Sequence, residues 1–177
     1  VVTCPPRSTH DVVLRHPLRA TSTAAGIPDE RWSGGAGDPE GARVQDPGTS
    51  VGLALLADQG WTGVTDAVVL ADGPRDASAL RALGAAEVAD GATALLLLGA
   101  LSARRGPDAP LPDDPRAAEL DEQVERDLLA LDPAGAARLA DLDPALAAAL
   151  AVSAWAPWQV LLGAAGTQDD GAQGGGT

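Results

Sequence analysis

The residues best suited to chemistry in this chain are two histidines, one cysteine and a serine followed by two arginines. His10 and His16 are the only histidines, and Cys4 precedes them closely. Imidazole and thiolate groups are common zinc and iron ligands. The histidine spacing is neither H-x-H nor H-x-x-x-H, so a metal would need carboxylates from elsewhere in the chain. His10 is a candidate metal ligand, and the alternative is that these are ordinary loop residues.

A second candidate site follows the run Ala94–Gly99 (ALLLLG), which predicts a buried strand. Ligand sites in open α/β sheets lie at the carboxyl ends of strands. Ser102 is not in a G-x-S-x-G elbow, which disfavours a hydrolase nucleophile. Arg104 and Arg105 could bind a carboxylate through paired hydrogen bonds. Ser102, Arg104 and Arg105 are therefore candidate substrate-binding residues, and the alternative is a surface pair of arginines that neutralises nearby aspartates.

Nucleotide-binding motifs are absent from the sequence. The stretch at 33–37 (SGGAG) is rich in glycine but lacks the G-K-[ST] ending, and the chain contains no lysine. A Walker P-loop is therefore excluded, and no G-x-G-x-x-G follows a predicted strand. The glycine-rich stretch is interpreted as a flexible turn.

Composition restricts the partners and the compartment. The 177 residues carry a net charge of −13, which disfavours nucleic acid and anionic membranes as partners. No apolar run approaches the roughly 20 residues of a membrane span. The single cysteine cannot form an internal disulfide, so we expect a cytoplasmic protein. Phe, Tyr, Met, Lys and Asn, whose codons are AT-rich, are missing, which indicates a GC-rich bacterial genome.

Strand and helix signals alternate along the chain. Val1–Cys4, Val12–Leu14 and Ala67–Ala71 predict strands in addition to the run before Ser102. Helices are predicted from Thr49 or Ser50 to Gln59, with Val51, Leu55 and Leu56 facing inward, and from Asp76 to Val88. Asp-Pro pairs at 114, 132 and 143 predict three further helix starts, because aspartate caps a helix and proline suits its first position.

These elements predict one α/β domain over residues 1–165 with a mostly parallel sheet. Residues 20–48 are rich in Gly and Pro and form a loop that is long for a compact domain. Residues 166–177 are rich in Gly and Gln and predict a disordered tail.

Several segments, in order, resemble one protein family. They are Val1–Pro6 (VVTCPP), Ser50–Gly63 (SVGLALLADQGWTG), Leu97–Gly106 (LLGALSARRG), Asp114–Val124 (DPRAAELDEQV) and Leu142–Ala165 (LDPALAAALAVSAWAPWQVLLGAA). The chain resembles the class III extradiol ring-cleavage dioxygenase family, in its divergent branch from high-GC bacteria.

The resemblance implies a three-layer α/β/α sandwich around a mostly parallel central sheet. It also implies Fe(II) or Zn(II) held by two histidines and a glutamate, a further histidine for acid–base chemistry, and a small aromatic substrate. His10 falls near the family's second-ligand region. However, no histidine follows Gly99, Ala100 and Leu101 replace the Asp-Gly usual in the branch, and the family's last strand is missing after Ala165.

Three hypotheses follow from these observations. The first is a truncated or degenerate dioxygenase-like domain without ring-cleavage activity, which starts at Val1 as a fragment or processed chain. The second is a metal-dependent oxidoreductase with an altered active site that uses His10, Arg104 and Arg105 on a small carboxylate. The third is a non-catalytic acidic interaction domain. Missing strands would leave sheet edges unpaired, which favours a homodimer.

Overall fold

The computed structural model describes residues 1–5, 8–29, 37–91, 93–130 and 132–172. These residues form two compact units. The first contains Val1–Asp72 with Leu96–Leu98, and the second contains Gly73–Leu95 and the chain from Gly99 onward. The strands lie in the first unit, and helices lie in both units, so the protein is mixed α/β.

Short strands build the first unit: β1 (Val2–Thr3), β2 (Val12–Leu14), β3 (Leu18–Arg19), β4 (Ala42–Arg43), β5 (Ala67–Val69) and β6 (Leu97–Leu98). The larger sheet has the order β2-β5-β1-β6. In it β1 runs parallel to β5 and β6, and only β2 is antiparallel. The mostly parallel sheet predicted from the apolar runs is therefore confirmed. A separate parallel pair, β3–β4, was not predicted.

Six helices lie in the described part of the chain: α1 (Pro47–Asp58), α2 (Ala77–Glu87), α3 (Arg116–Ala130), α4 (Pro133–Ala140), α5 (Pro144–Ala149) and α6 (Trp155–Ala172). The helix starts predicted from the Asp-Pro pairs are confirmed at Asp132 and Asp143, whose carboxylates accept backbone N–H groups at the starts of α4 and α5. Asp114 accepts the N–H of Arg116 in the same way at the start of α3. No helix in these described ranges is long and apolar enough to cross a membrane.

The first helix differs from its prediction in both its start and its buried face. It begins at Pro47 because Asp46 is the N-cap, with its carboxylate accepting the N–H groups of Gly48 and Thr49. The inward stripe predicted for Val51 and Leu55 is wrong, since these side chains are half exposed. The buried residues of α1 are small or polar, except for one leucine: Thr49, Ser50, Gly52 and Leu53.

Polar partners explain why hydroxyl groups are buried on α1. The Asp46 carboxylate accepts hydrogen bonds from the hydroxyls of Thr3 at 3.0 Å and Thr49 at 2.6 Å. Ser50 Oγ accepts the N–H of Thr21 at 3.2 Å. A buried hydroxyl costs little free energy when it is hydrogen bonded in this way. The apolar core of the first unit lies beside them: Leu18, Ala20, Val44, Leu53 and Ala67.

In the second unit, α2 packs closely against α6. Two glycines permit this approach, because a Cβ on Gly84 would meet the backbone of Val160, and a Cβ on Gly163 would meet that of Arg81. Trp155 and Trp158 are buried at the start of α6. Arg81 Nε donates to the side-chain oxygen of the buried Gln159 at 3.0 Å.

The predicted loop and tail are described in part. Within residues 20–48 the chain forms a 3-10 turn at Thr23–Ala25 and the strand β4. Residues 30–36 of that loop, which include most of the glycine-rich stretch, lie outside the described residues, as do residues 173–177 of the predicted tail. The backbone of α6 continues to Ala172. The single-domain boundary at residue 165 stays a prediction.

Candidate functional site

Ser102 lies in the loop after β6, and its polar groups bond to the protein itself. Its N–H donates to Asp121 Oδ1 on α3 at 2.9 Å. Its hydroxyl donates to the carbonyl of Leu150 at 2.9 Å and accepts the N–H of Arg104 at 3.0 Å. Ser102 therefore ties this loop to α3 and to the turn after α5.

Arg104 folds back onto its own loop. Its Nη1 donates to the carbonyl of Pro112 at 3.1 Å, and its backbone carbonyl accepts the N–H of Asp114 at 2.9 Å. Its Nε is buried and has no hydrogen-bond partner in the described ranges. The one hydrogen bond that this side chain makes in the described part of the chain therefore stays within its own loop.

Arg105 lies beside the acidic side chains of α3. Its Nη2 is 3.4 Å from Glu122 Oε1, and its Nη1 is 3.9 Å from Asp121 Oδ2. The Asp121 side chain is only 3% exposed, so a nearby cation offsets part of the cost of burying its charge. Arg105 alone of the two arginines is thus within 4.0 Å of carboxylates among the described residues, and these belong to α3 instead of the aspartates nearby in the sequence. Substrate binding by Ser102, Arg104 and Arg105 stays a prediction.

Two ion pairs with forked hydrogen bonds lie in the second unit. Arg116 donates to both carboxylate oxygens of Asp114 at 3.0 and 2.7 Å, and these bonds are the main reason that the pKa of Asp114 falls to about 2. Arg138 on α4 donates to Asp127 on α3, which holds the pKa of that carboxyl below its usual range. Such forks give orientation as well as attraction. They position the helices around the loop that contains Ser102.

His10 belongs to the first unit and lies at the carboxyl end of the sheet. Its ring Nδ1 is 3.0 Å from the hydroxyl of Thr9, and the side chain is exposed. The neighbouring segment is held over the end of β5, because Asp72 N–H donates to the carbonyl of Ser8 at 2.8 Å and Ala71 N–H donates to Asp11 at 2.7 Å. The sulfur of Cys4 donates to the carbonyl of Ala71 at 3.6 Å.

The residues around His10 do not fit the metal set that the resemblance implies. Throughout residues 1–5, 8–29, 37–91, 93–130 and 132–172, no three His, Cys, Asp or Glu side chains lie close enough together to hold a metal ion. The nearest carboxylate along the chain, Asp11, already accepts a backbone N–H. Among the residues that the structure describes, two histidines and a glutamate are therefore not assembled at this strand end, and metal binding by His10 stays a prediction.

The first unit also contains an open cavity of about 600 Å³ that no motif indicated. The Trp61 ring lines it, half exposed, with its Nε1 donating to Thr65 Oγ1 at 3.0 Å. Leu53 and Leu56 of α1 supply apolar lining, and His16 lies at the same cavity. Its walls come from β3, the end of α1 and residues 60–65, so only the fold brings them together.

Comparisons with protein-family models, with curated proteins and with solved structures found no match for this chain.

Proposed function

We propose that this chain is a class III extradiol dioxygenase-like domain that lacks ring-cleavage activity. The loop after β6 carries the proposal. It contains no histidine where the resemblance expects the acid–base group, and Ser102 there donates and accepts only within the protein. Without a histidine in this loop, a bound catechol would lack the acid–base group that the resemblance expects there.

The proposal includes the three-layer α/β/α sandwich that the resemblance implies. Support comes from the larger sheet, in which β5, β1 and β6 run parallel. Sheets of parallel strands occur almost only where helices cover both faces. The apolar strand β5 is fully buried, as such an arrangement requires.

Ring cleavage is tested directly with the full chain. The protein is loaded anaerobically with Fe(II), mixed with catechol or protocatechuate, and exposed to O₂ while oxygen uptake and the ring-opened product are followed. We expect no product beyond that formed by free Fe(II). Product formation that is lost in His10→Ala and kept in His16→Ala would overturn the proposal and support the metal-dependent oxidoreductase instead.

Metal binding is measured separately by anaerobic calorimetric titration with Fe(II) and Zn(II). The geometry around His10 leads us to expect no tight site, because no set of three ligands is assembled there. A one-to-one site that disappears in His10→Ala would show that the second hypothesis describes this protein better.

An interaction role is a second candidate, favoured by the apolar surface of the first unit. The side chains of Val13, Val51, Leu55 and Val64 are 47%, 50%, 48% and 73% exposed. Val13 lies on β2, the last strand at one edge of the larger sheet, and unpaired edges favour association. We therefore include a homodimer in the proposal. The proposal also includes a cytoplasmic location. Because the net charge of the chain is −13, it includes no nucleic-acid partner.

Light scattering behind size exclusion, over a wide range of protein concentration, tests the dimer. Val13→Lys should shift the equilibrium to monomer, whereas Ala82→Lys, on the exposed face of α2, should not. A wild-type chain that stays monomeric throughout would contradict association through this edge.

A further inference from the structure

Two arginines are placed side by side in the small parallel sheet of the first unit. Arg19 on β3 and Arg43 on β4 are register partners, and both side chains line the same cavity. Neighbouring strands lie only about 4.8 Å apart, and like charges directly across a strand pair are destabilising. This arrangement therefore calls for an explanation in a chain with more than twice as many acidic as basic residues.

Several other arginines are placed beside carboxylates. Ion pairs join Arg15 to Asp66, Arg105 to Asp121 and Glu122, Arg116 to Asp114, and Arg138 to Asp127. By contrast, neither Arg19 nor Arg43 has a carboxylate oxygen within 4.0 Å in the described part of the chain. Arg19 makes one long hydrogen bond, from Nη1 to the carbonyl of Pro39 at 3.4 Å. Its partner Arg43 is exposed.

The cavity between these arginines has the size of a small-molecule site. It is open, measures about 520 Å³, and is lined among the described residues by Arg19, Thr23, Pro28, Asp29 and Arg43. Ligand pockets typically measure about 300–1,000 Å³. The guanidinium groups of Arg19 and Arg43, which both line the cavity, offer forked donors that match the oxygens of a carboxylate.

Asp29 gives the lining of the cavity a negative charge, and the charge of Arg43 acts on this carboxylate. Its Oδ1 accepts hydrogen bonds from the hydroxyl of Thr21 at 2.8 Å and from the N–H of Ser22 at 2.9 Å. The N–H of Ser22, followed by the Thr21 hydroxyl, holds the pKa of Asp29 below its usual range. Its second oxygen, Oδ2, accepts no hydrogen bond from any described residue.

We infer that this cavity binds a small carboxylate that carries a hydroxyl or ammonium group on the carbon next to the carboxylate. The carboxylate accepts hydrogen bonds from Arg19 and Arg43 and relieves their mutual repulsion. The neighbouring hydroxyl or ammonium group donates to Oδ2 of Asp29. The net charge of these three side chains is +1, which suits one carboxylate better than a doubly charged phosphate.

The inference is independent of the proposed loss of ring cleavage, because it concerns other residues. The test uses the full chain and a matched series of probes followed by NMR or calorimetric titration. Propionate, L-lactate and L-alanine have the same carbon skeleton and differ only in the hydrogen, hydroxyl or ammonium group beside the carboxylate. Inorganic phosphate represents the other oxyanion class.

L-lactate or L-alanine should bind at least about tenfold more tightly than propionate, and Arg19→Gln or Arg43→Gln should weaken that binding by about tenfold or more. Arg126→Gln on α3 removes the same charge from an exposed position and should leave binding unchanged. Absence of binding, tighter binding of phosphate, or an equal loss in Arg126→Gln would overturn the inference.

Thermal unfolding without ligand separates binding from folding. Removal of one of two adjacent like charges should keep or raise the melting temperature, so Arg43→Gln should be at least as stable as the wild type. A marked fall in its melting temperature would mean that Arg43 stabilises the fold itself, which contradicts a pair of arginines reserved for a ligand.

Discussion

The close backbone approach between α2 and α6 in the second unit can be tested by adding one methyl group. In Gly84→Ala the new Cβ would lie 2.8 Å from the carbonyl carbon of Val160 and 3.0 Å from the backbone N of Ala164, and closer still to the Val160 oxygen. Real Cβ atoms do not approach backbone atoms this closely. Because the obstacle is backbone, a change of rotamer cannot relieve it, and the two helices must move apart.

The expected cost combines two opposing effects. Overpacking of a tight interior costs up to about 3 kcal/mol, whereas replacing glycine by alanine inside a helix gains about 1 kcal/mol. The difference is a loss of about 2 kcal/mol in the free energy of unfolding. For a chain of this length, that corresponds to a fall of about 4–8 °C in the melting temperature.

Gly166→Ala is the control, since it adds the same methyl group to α6, the helix that packs against α2. A Cβ there meets nothing within 4 Å, so only the gain in helix propensity remains. Both variants are unfolded with urea and followed by far-ultraviolet circular dichroism, and their midpoints are compared with that of the wild type. We expect the urea midpoint of Gly84→Ala to be lower than that of the wild type, and the midpoint of Gly166→Ala to be the same or higher.

A double-mutant cycle sharpens the test. On α6, a Cβ at Gly163 would lie 2.5 Å from the carbonyl carbon of Arg81 and 2.6 Å from its Cα. Once the helices have separated for one methyl group, the second should cost less, so the combined loss should be smaller than the sum of the two single losses. If Gly84→Ala is as stable as the control, or if the losses are strictly additive, this close crossing of α2 and α6 is refuted.

Three further predictions concern polar groups. Ser102→Ala should lower the free energy of unfolding by about 1–3 kcal/mol, measured by urea titration, because it leaves the N–H of Arg104 without its acceptor and removes one of the two hydrogen bonds to the carbonyl of Leu150, which keeps the one from Ala103. Asp46→Ala should cost about 2–4 kcal/mol in the same assay, since it removes both the cap of α1 and the acceptor for two buried hydroxyls. The third uses pH. The pKa of Asp114 lies at about 2, below its ordinary 3.8, so its contribution to stability is present above pH 3.8 and is lost as the pH falls toward 2. Arg116→Gln should flatten this loss, and an unchanged pH profile of the urea midpoint would refute the assignment.

Local chemistry in the sequence was sufficient to predict several elements. An aspartate followed by proline caps a helix through groups only a few residues away, which is why the starts at Asp132 and Asp143 could be read directly. The apolar runs at β5 and β6 likewise indicated parallel strands before any pairing was known, although β5 is buried as predicted and β6 is only half-buried. The cluster of Ser102 with two arginines after a strand was also visible in the sequence.

The partners of these residues were decided by the tertiary structure. The hydroxyl of Ser102 meets a carbonyl after α5, and its N–H meets a carboxylate on α3. Both partners are distant from Ser102 in the sequence. The sequence alone could therefore not decide whether Ser102 binds a ligand or stabilises the loop. For α1, the apolar spacing predicted Val51 and Leu55 inward, but a buried aspartate and hydroxyl partners on β1 turned the polar face inward.

The sequence by itself thus determined the acidic charge, the excluded nucleotide motifs, the helix caps at Asp132 and Asp143 and the apolar strands, because each depends on composition or on neighbouring residues. Only the folded chain placed Arg19 beside Arg43, and Gly84 against the backbone of α6. Both arrangements depend on pairing between segments that are distant in sequence. Pairing of this kind follows from the packing of the whole chain, and no local pattern encodes it.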